Sequence, residues 1–364
     1  MDEHAGPSTH AQPDTASTAT ATAAGGTDET LSPARTWEQA RSGATCAWWQ
    51  LTALVELGGP DTMDLLDNVS TQHCRSIPPG EARHTLFLDR TASIIAPAVA
   101  YRSAEDAVLL EVQHQHVEPL CQHLARYRLR ARVEIDPVEL AVAHVVGPNL
   151  PGVLHAIAGA TTEAAGAAAW YRTPVWGTAG IEWSLPAAGR ELEIPEGLPA
   201  AAVVGSPTAV RAIVASLPAH GAPYADPEAL DALRISMGVP FLNDFLDGRL
   251  PAEVGADALA VSFDKGCYLG QEPVARLHFR GRPNRTLRPV ELLGDVPAGL
   301  DPTAPDYLEL RDPDDTRGRA AGTLTSWALA PDGRRLGLAT IHRRIEPGAE
   351  VELAGTDVRI AVRG

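Results

Sequence analysis

The chain reads as an α+β protein, with two mixed antiparallel α+β lobes followed by a C-terminal antiparallel β-barrel. Three observations predict this. Strand-like and helix-like segments mix without the regular alternation of a doubly wound sheet. After Pro283 the texture changes to short strands separated by Gly, Pro and Asp turns, the pattern of a small barrel. The length of 364 residues and a hydrophobic share of 45% supply two or three domains with a sizeable core.

The elements follow in order. Residues 1–33 hold Ala, Thr, Ser, Gly and acids with few large apolar groups. Such a segment cannot offset its ordering entropy, so a disordered tail is expected. Residues 34–282 form the two-lobed region and 283–364 the barrel. "AWWQLTALVELGGPDTMDLLDNVS" reads as a strand, a turn at Gly58-Gly59-Pro60, and a helix with Asp61 as N-cap. "ARHTLFLDRTASIIAPAVAYRS" and "AVLLEVQ" read as antiparallel strands, "HVEPLCQHLARYRL" as a helix, and "ARVEIDPVELAVAHVVGP" as a return to strand. "GIEWSLP" and "AAVVGSP" are further strands, "PTAVRAIVASLPAHG" a helix, and "DPEALDALRISMGVP" a capped helix ending at Gly238. In the barrel, "LRPVELLG", "DYLELRD", "AAGTLTSWALA", "RRLGLATIHRR" and "EVELAGTDVRIAVRG" supply the strands.

The formal net charge of -16 disfavours binding of nucleic acid over the whole surface, so direct contact with nucleic acid is not expected. "RLHFRGRPNRTLR" is a candidate local basic patch, where Arg276, Arg280, Arg282, Arg285 and Arg288 crowd together; a solvated face or an intra-domain ion network is the plainer reading. No apolar run reaches the roughly 18 residues of a membrane helix. The acidic, polar start lacks the pattern of a secretory signal. Cys46, Cys74, Cys121 and Cys267 form no CxxC pair, which fits a reducing, cytoplasmic setting.

The stretch "DKGCYLGQEPVAR", Asp264 to Arg276, holds the densest chemistry. Cys267 lies between Gly266 and Gly270, which permit a tight turn that presents the thiol. Lys265 is the chain's single lysine; every other basic position is Arg. Lysine is a compact point charge with a tunable pKa, so this position wants an amine rather than a planar fork. Lys265 favours the Cys267 thiolate while Asp264 and Glu272 oppose it, so the local charges do not decide whether the thiol is activated. A buried cysteine filling a loop is the alternative.

Two weaker constellations accompany it. His116, Cys121 and His123 share a presumed helix, but their spacing matches no zinc pattern and no metal is assigned. Trp48, Trp49, Trp170, Tyr171, Trp176 and Trp183 could wall a pocket for a flat heterocycle, or simply pack the core. No Walker-type loop, GxGxxG, HExxH or GxSxG occurs.

At Lys265-Gly266-Cys267-Tyr268-Leu269-Gly270-Gln271-Glu272 the chain resembles the YgfZ family of folate-binding proteins, relatives of the glycine-cleavage T-protein and of a mitochondrial iron–sulfur assembly factor. "VARLHFRGRPNR", "LRISMGVP", "ARYRLRARVEI" and "GTLTSWALAPDGRRLGLATIHR" extend the likeness. The resemblance implies a three-lobed fold around a channel that takes tetrahydrofolate in the enzyme relatives. It implies iron–sulfur client or assembly proteins as partners, and through them tRNA modification. It carries the functional cysteine onto Cys267, with Lys265 beside it and Gly266, Tyr268, Gly270, Gln271, Glu272 and Arg276 framing the loop. Tetrahydrofolate or a derivative is the implied cofactor, with Arg234, Ser236 and Trp183 as its contacts. Two positions depart from the T-protein pattern. Pro97 stands where the catalytic Asp is placed, and Ser236 replaces the pterin-binding Glu of an Arg-hydrophobe-Glu triplet. Proton handling at the folate amine then has no agent, and the pterin N–H donors lose an acceptor. Cluster maintenance through Cys267 therefore ranks ahead of aminomethyl transfer and of a non-catalytic folate module. Asp89 and Glu182 are the carboxylates that would reopen the transferase reading by reaching the channel.

Overall fold

The computed structural model describes residues 30–42, 46–50, 53–158, 168–176, 198–241, 244–245, 248–294, 296 and 308–363. Trp183, Glu182, the strand expected at "GIEWSLP" and residues 1–29 of the expected tail lie outside these. The chain is already packed at Leu31, whose N–H bonds the Tyr224 carbonyl at 2.9 Å. Helix α1 (Pro33–Arg41) follows, with proline in its first turn, where the missing N–H costs nothing. It buries Trp37, whose indole N–H donates to the Ala229 carbonyl at 2.6 Å. The packed chain thus begins a few residues inside the segment expected to be a tail.

The run read as one strand from Ala47 is two strands in two different sheets, β1 (Cys46–Gln50) and β2 (Ala53–Gly58). The same division separates β6 (Glu134–Val138) from β7 (Ala141–Val146). With β3 (Ala82–Leu88), β4 (Ile94–Arg102) and β5 (Ala107–Val112), the first sheet has the order β3-β4-β5-β2-β6. With β8 (Ala168–Trp176) and β9 (Leu198–Gly205), the second has the order β1-β7-β9-β8.

Alternation along the strands decides the layers. Leu57, Phe87 and Leu110 point outward under α2 (Thr62–Val69) and α3 (His114–Arg128). Val145, Ala143 and Val203 point outward under α4 (Leu150–Ala158) and α5 (Pro207–Ser216). The inner faces meet through Leu54, Val99, Tyr101 and Leu109 on one side and Val142, Tyr171, Ala202 and Val204 on the other. Each large buried side chain here contributes about 1.5–3 kcal/mol relative to exposure.

Asp61 stands at the N-cap of α2, but its carboxylate does not cap the helix as expected. It grips the Arg132 guanidinium at 2.9 and 3.0 Å, and that hydrogen bonding holds its pKa down at about 2. Asp226 does cap α6 (Pro227–Ser236), accepting from the Ala229 N–H at 2.8 Å. The helix ends before Gly238, which turns the chain with φ of 65°.

The C-terminal unit is a closed antiparallel barrel of β10 (Arg285–Leu293), β11 (Leu308–Arg311), β12 (Ala320–Leu329), β13 (Arg335–His342), β14 (Glu350–Leu353) and β15 (Arg359–Val362). Val290, Leu310, Leu324, Ile341 and Ile360 fill it. A register shift between Leu324 and Ser326 lets two adjacent residues, Thr325 and Ser326, both donate to Asp244 Oδ1, at 2.5 and 2.8 Å. Asp244 Oδ2 accepts from Arg234 Nη1 at 2.7 Å and from the Phe241 N–H at 3.0 Å. Arg234 also donates to Asp231 at 2.7 Å and to the Val239 carbonyl at 2.7 Å. Burial works against its charge, and Asp231 and Asp244 outweigh the burial, so its pKa is raised. This network, centred on the fully buried Arg234 and Asp244, fastens the barrel to α6.

One pH dependence follows from the core between the sheets. Burial pushes the His84 pKa down from 6.5 to about 4, and its Nδ1 has no hydrogen-bond partner among the described residues. Below pH 6.5 the unfolded chain takes a proton that the folded chain refuses. Stability is therefore full above that pH and falls as pH drops towards 4, by up to about 3 kcal/mol for this residue alone. Urea titrations at stepped pH should show this loss, and His84→Leu should flatten it. An unchanged slope in the variant would contradict the assignment.

Candidate functional site

The stretch around Cys267 is stitched to the chain that leaves α2. The Leu269 N–H bonds the Asn68 carbonyl at 3.0 Å and the Ser262 N–H bonds the Thr71 carbonyl at 3.0 Å. Thr71 Oγ1 donates at 2.6 Å to the carbonyl of Ala260, which ends the short helix α7 (Asp257–Ala260), and accepts from the Leu86 N–H at 2.9 Å. Lys265 completes the seam. Its ammonium, only 8% exposed as a residue, donates to the Ser70 and Gln72 carbonyls at 2.8 and 2.7 Å. It also lies 5.1 Å from the Tyr268 ring centroid, a cation–π contact. Burial lowers its pKa.

Lys265 thus anchors the loop through backbone carbonyls. A guanidinium is wider than an ammonium and does not fit between two carbonyls so spaced without moving the chain. Lys265→Arg should lower stability by about 2 kcal/mol, measured by urea unfolding, because two charge-assisted bonds are lost or strained. A wild-type midpoint would show that the site accepts either cation.

The two glycines differ. Gly270 has φ of 81°, and a Cβ there would lie 2.6 Å from the Asp89 carbonyl oxygen. Gly266 does not have a positive φ, contrary to the freedom expected of it, and a Cβ there would meet nothing within 4 Å. Tyr268 is buried among Leu86, Leu88, Phe245 and Val274, and burial pushes its phenol up to about 12. Cys267 is exposed, as are Gly266 and Asp264. Buried Lys265 and Tyr268 on either side hold a short exposed segment whose side chain is a thiol.

Gln271, Glu272 and Arg276 are not on a loop. They open helix α8 (Gln271–Arg280), with Gly270 at its N-cap and Val274 its buried residue. Glu272 and Arg276 are exposed on it. Phe263, earlier in the same stretch, stacks on the His278 ring at 3.8 Å and holds the segment along the helix.

The other candidates fall elsewhere. Arg234 serves the barrel latch, and Ser236 donates to the Leu233 carbonyl at 2.7 Å within its own helix. Pro97 lies buried on β4 opposite Leu86, beyond the pairing of β4 with β5 that starts at Val99, so its missing N–H breaks no bond there. Asp89 Oδ1 accepts from the Thr91 N–H, Thr91 Oγ1 and the Ser93 N–H at 2.7, 2.7 and 2.9 Å, which makes it the fastener of the turn beneath Gly270. Burial opposes its charge and these bonds outweigh the burial, lowering its pKa. His116 and His123 are buried on α3, and burial raises the Cys121 pKa. Among the described residues, no group of three or more His, Cys, Asp or Glu is placed to hold a metal ion. Trp170 and Tyr171 pack the sheets as core residues.

One buried acid was not singled out from the sequence. Glu111, on the inner face of β5, accepts from the Tyr101 hydroxyl at 2.5 Å and lies 3.5 Å from His144 Nε2. Its signal was a lone carboxylate in the otherwise apolar strand "AVLLEV". Glu111 and Asp244 are fully buried, and Asp244 is spent on the latch.

Paired α+β lobes joined to a closed six-stranded barrel make an α+β architecture, with the Cys267 segment pinned against the first lobe. The GCVT N-terminal domain family matches residues 35–185. By sequence the chain is similar to proteins named YgfZ, IBA57 and aminomethyltransferase. It is 34% identical over 127 residues to the tRNA-modifying protein YgfZ of Vibrio vulnificus (strain YJ016), covering 34% of this chain and 37% of that protein. It is 28% identical over 343 residues to the human mitochondrial iron-sulfur cluster assembly factor IBA57, covering 86% and 85%. To an aminomethyltransferase of Parafrankia sp. (strain EAN1pec) it is 26% identical over 323 residues, covering 83% and 78%. The crystal structure of the glycine cleavage system aminomethyltransferase T from Bartonella henselae superposes with a TM-score of 0.68 at 17% identity, over 93% of this chain and 90% of that one. That likeness bears on the fold alone. Among the described residues, no helix is long and apolar enough to cross a membrane.

Proposed function

We propose that this protein maintains or assembles iron–sulfur clusters of partner enzymes, tRNA-modifying ones included, by presenting the Cys267 thiol to a cluster or thiol carried by a partner protein. The observation that carries this reading is the contrast between Cys267 and its frame. Lys265, Tyr268 and Gly270 are committed to holding the loop, and the thiol between them is free to meet a partner. A cysteine needed only to fill space resembles Cys74, which is buried, near the Ser70 hydroxyl at 3.4 Å, with its pKa pushed up to about 11 by burial.

Complementation of a YgfZ-deficient bacterium, scored on its cluster enzymes, tests the role. The wild-type chain should restore activity and Cys267→Ser should not. Thiol labelling of the native protein should modify Cys267 rapidly and Cys74 only after unfolding. Full complementation by Cys267→Ser would remove the thiol from the function.

Folate stands apart from this step. Arg234 and Ser236, the expected contacts, are buried and bonded elsewhere, so they do not fit a pterin, and no step is routed through it. Glu111, between the lobes, is no freer: it is fully buried and its carboxylate accepts from the Tyr101 hydroxyl. Calorimetric titration with a reduced folate tests the folate-module reading. Saturable binding with no aminomethyl transfer would support it, and no binding would remove it.

A further inference from the structure

The basic stretch Arg276 to Arg288 runs from α8 into the barrel, and near its end four guanidinium groups gather round one imidazole. Arg285 on β10 pairs directly with His342 on β13, so the two side chains leave the barrel on one face with Cβ atoms roughly 5 Å apart. The Arg344 N–H donates to His342 Nδ1 at 3.2 Å, leaving Nε2 to carry the proton of the neutral ring. Exposed Arg343 follows in the same turn, its N–H on the Asn284 carbonyl at 2.9 Å. Arg344 Nη2 reaches the Arg319 and Ala320 carbonyls at 2.9 and 3.0 Å, which brings Arg319 alongside. Burial, and then the charges of Arg344, Arg285, Arg343 and Arg319, hold the His342 pKa low. One carboxylate bonds into the cluster. Asp315 accepts from Arg319 Nε at 2.9 Å and lies 3.4 Å from Arg344 Nη2.

Two atoms separate this cluster from a solvated basic face. Arg285 Nε and Arg344 Nε are fully buried and have no hydrogen-bond partner among the described residues. Exposed guanidinium N–H groups find water; buried ones without an acceptor are costly and rare. An oxyanion beside them offsets the positive charge that these buried donors leave uncompensated, and it is reached by the half-buried and exposed guanidinium N–H groups of the cluster, whose forks match its oxygens. We infer that Arg285, Arg319, Arg343 and Arg344 form a binding site for a small oxyanion of the phosphate class, free or as a small ester. The chain's overall charge of -16 favours a small anion over a long polyanion, which the rest of the surface repels.

The full chain is titrated calorimetrically with inorganic phosphate and with pyrophosphate, at ionic strength held constant with sodium chloride. Saturable binding of either is expected. Tighter binding of pyrophosphate assigns the site to a diphosphate group, and the reverse to a monophosphate. Arg285→Gln should weaken binding by about tenfold or more, the effect of losing a charge-assisted donor pair. Arg343→Gln changes an exposed side chain, so it spares the barrel and should weaken binding as well. Cys267→Ser should leave binding unchanged, which separates this site from the thiol loop. Saturation by neither anion, or binding unaltered in both arginine variants, overturns the inference. Bulk tRNA that binds through these arginines while neither small anion does overturns the choice of a small ligand.

Discussion

Gly270→Ala lowers the unfolding free energy by about 3 kcal/mol or more, while Gly266→Ala, in the same motif, lowers it by less than about 0.5 kcal/mol. The difference lies in the surroundings. At Gly270 a methyl group meets a left-handed backbone, which costs about 1–2 kcal/mol for an L-residue. It also meets the Asp89 carbonyl at 2.6 Å, a backbone atom that three hydrogen bonds to the Asp89 side chain keep in place. Relieving that contact must pull α8 away from the first lobe or reopen the Asp89 turn, and overpacking of this kind costs about 1–3 kcal/mol more. At Gly266 the methyl group projects into open space. Urea unfolding of both variants measures the contrast. Equal midpoints would show that the loop yields at both positions. Stable Gly266→Ala that fails complementation would place the approaching partner directly over Gly266.

Asp244→Ala should cost about 3–5 kcal/mol, because it leaves the Arg234 guanidinium buried with half of its charge compensation removed. Asp244 also collects the Thr325 and Ser326 hydroxyls and the Phe241 N–H, so four donors lose this one shared acceptor at once. The damage falls at the seam between α6 and the barrel. Unfolding should therefore change from one transition to two, with the barrel and the lobes separating. Tryptophan fluorescence, which sums seven tryptophans of which Trp327 is in the barrel, and circular dichroism should then disagree. A single transition at the wild-type midpoint would mean that apolar contacts alone, such as those of Leu230 and Leu233 with Leu336 and Leu338, hold the barrel.

The sequence was most legible where structure is local. The barrel strands announced themselves by their turns, Asp226 by its place before Pro227, and the Cys267 motif by its length. Misreadings arose where a distant partner decides. "LTALVELGG" follows "AWWQ" with no break in hydrophobicity, yet the two halves pair with β5 and β7, elements far apart in the chain. Helix α8 was read as loop because its face is polar and Val274 is its buried residue, while Gly270 and Pro273 suggested a turn. Arg234 reads as a ligand contact because Asp244 and the β12 hydroxyls, its actual network, are not adjacent in sequence. Glu111 does not stand out in sequence because a strand with one acid still reads as a strand.

The seam between Lys265 and Ser70 has a consequence for how the protein comes into being. The two residues are 195 positions apart. A ribosome delivers the carbonyls of Ser70 and Gln72, and the whole first sheet, long before it delivers Lys265. The lysine then arrives at a template already standing, and the cysteine two residues later takes its shape from that template. A chain whose first lobe has failed offers no such mould, so its thiol is never displayed in working form. The motif is therefore not transplantable as a peptide: the eight letters name the part that reacts, and the grip that makes them a site was made much earlier in the chain.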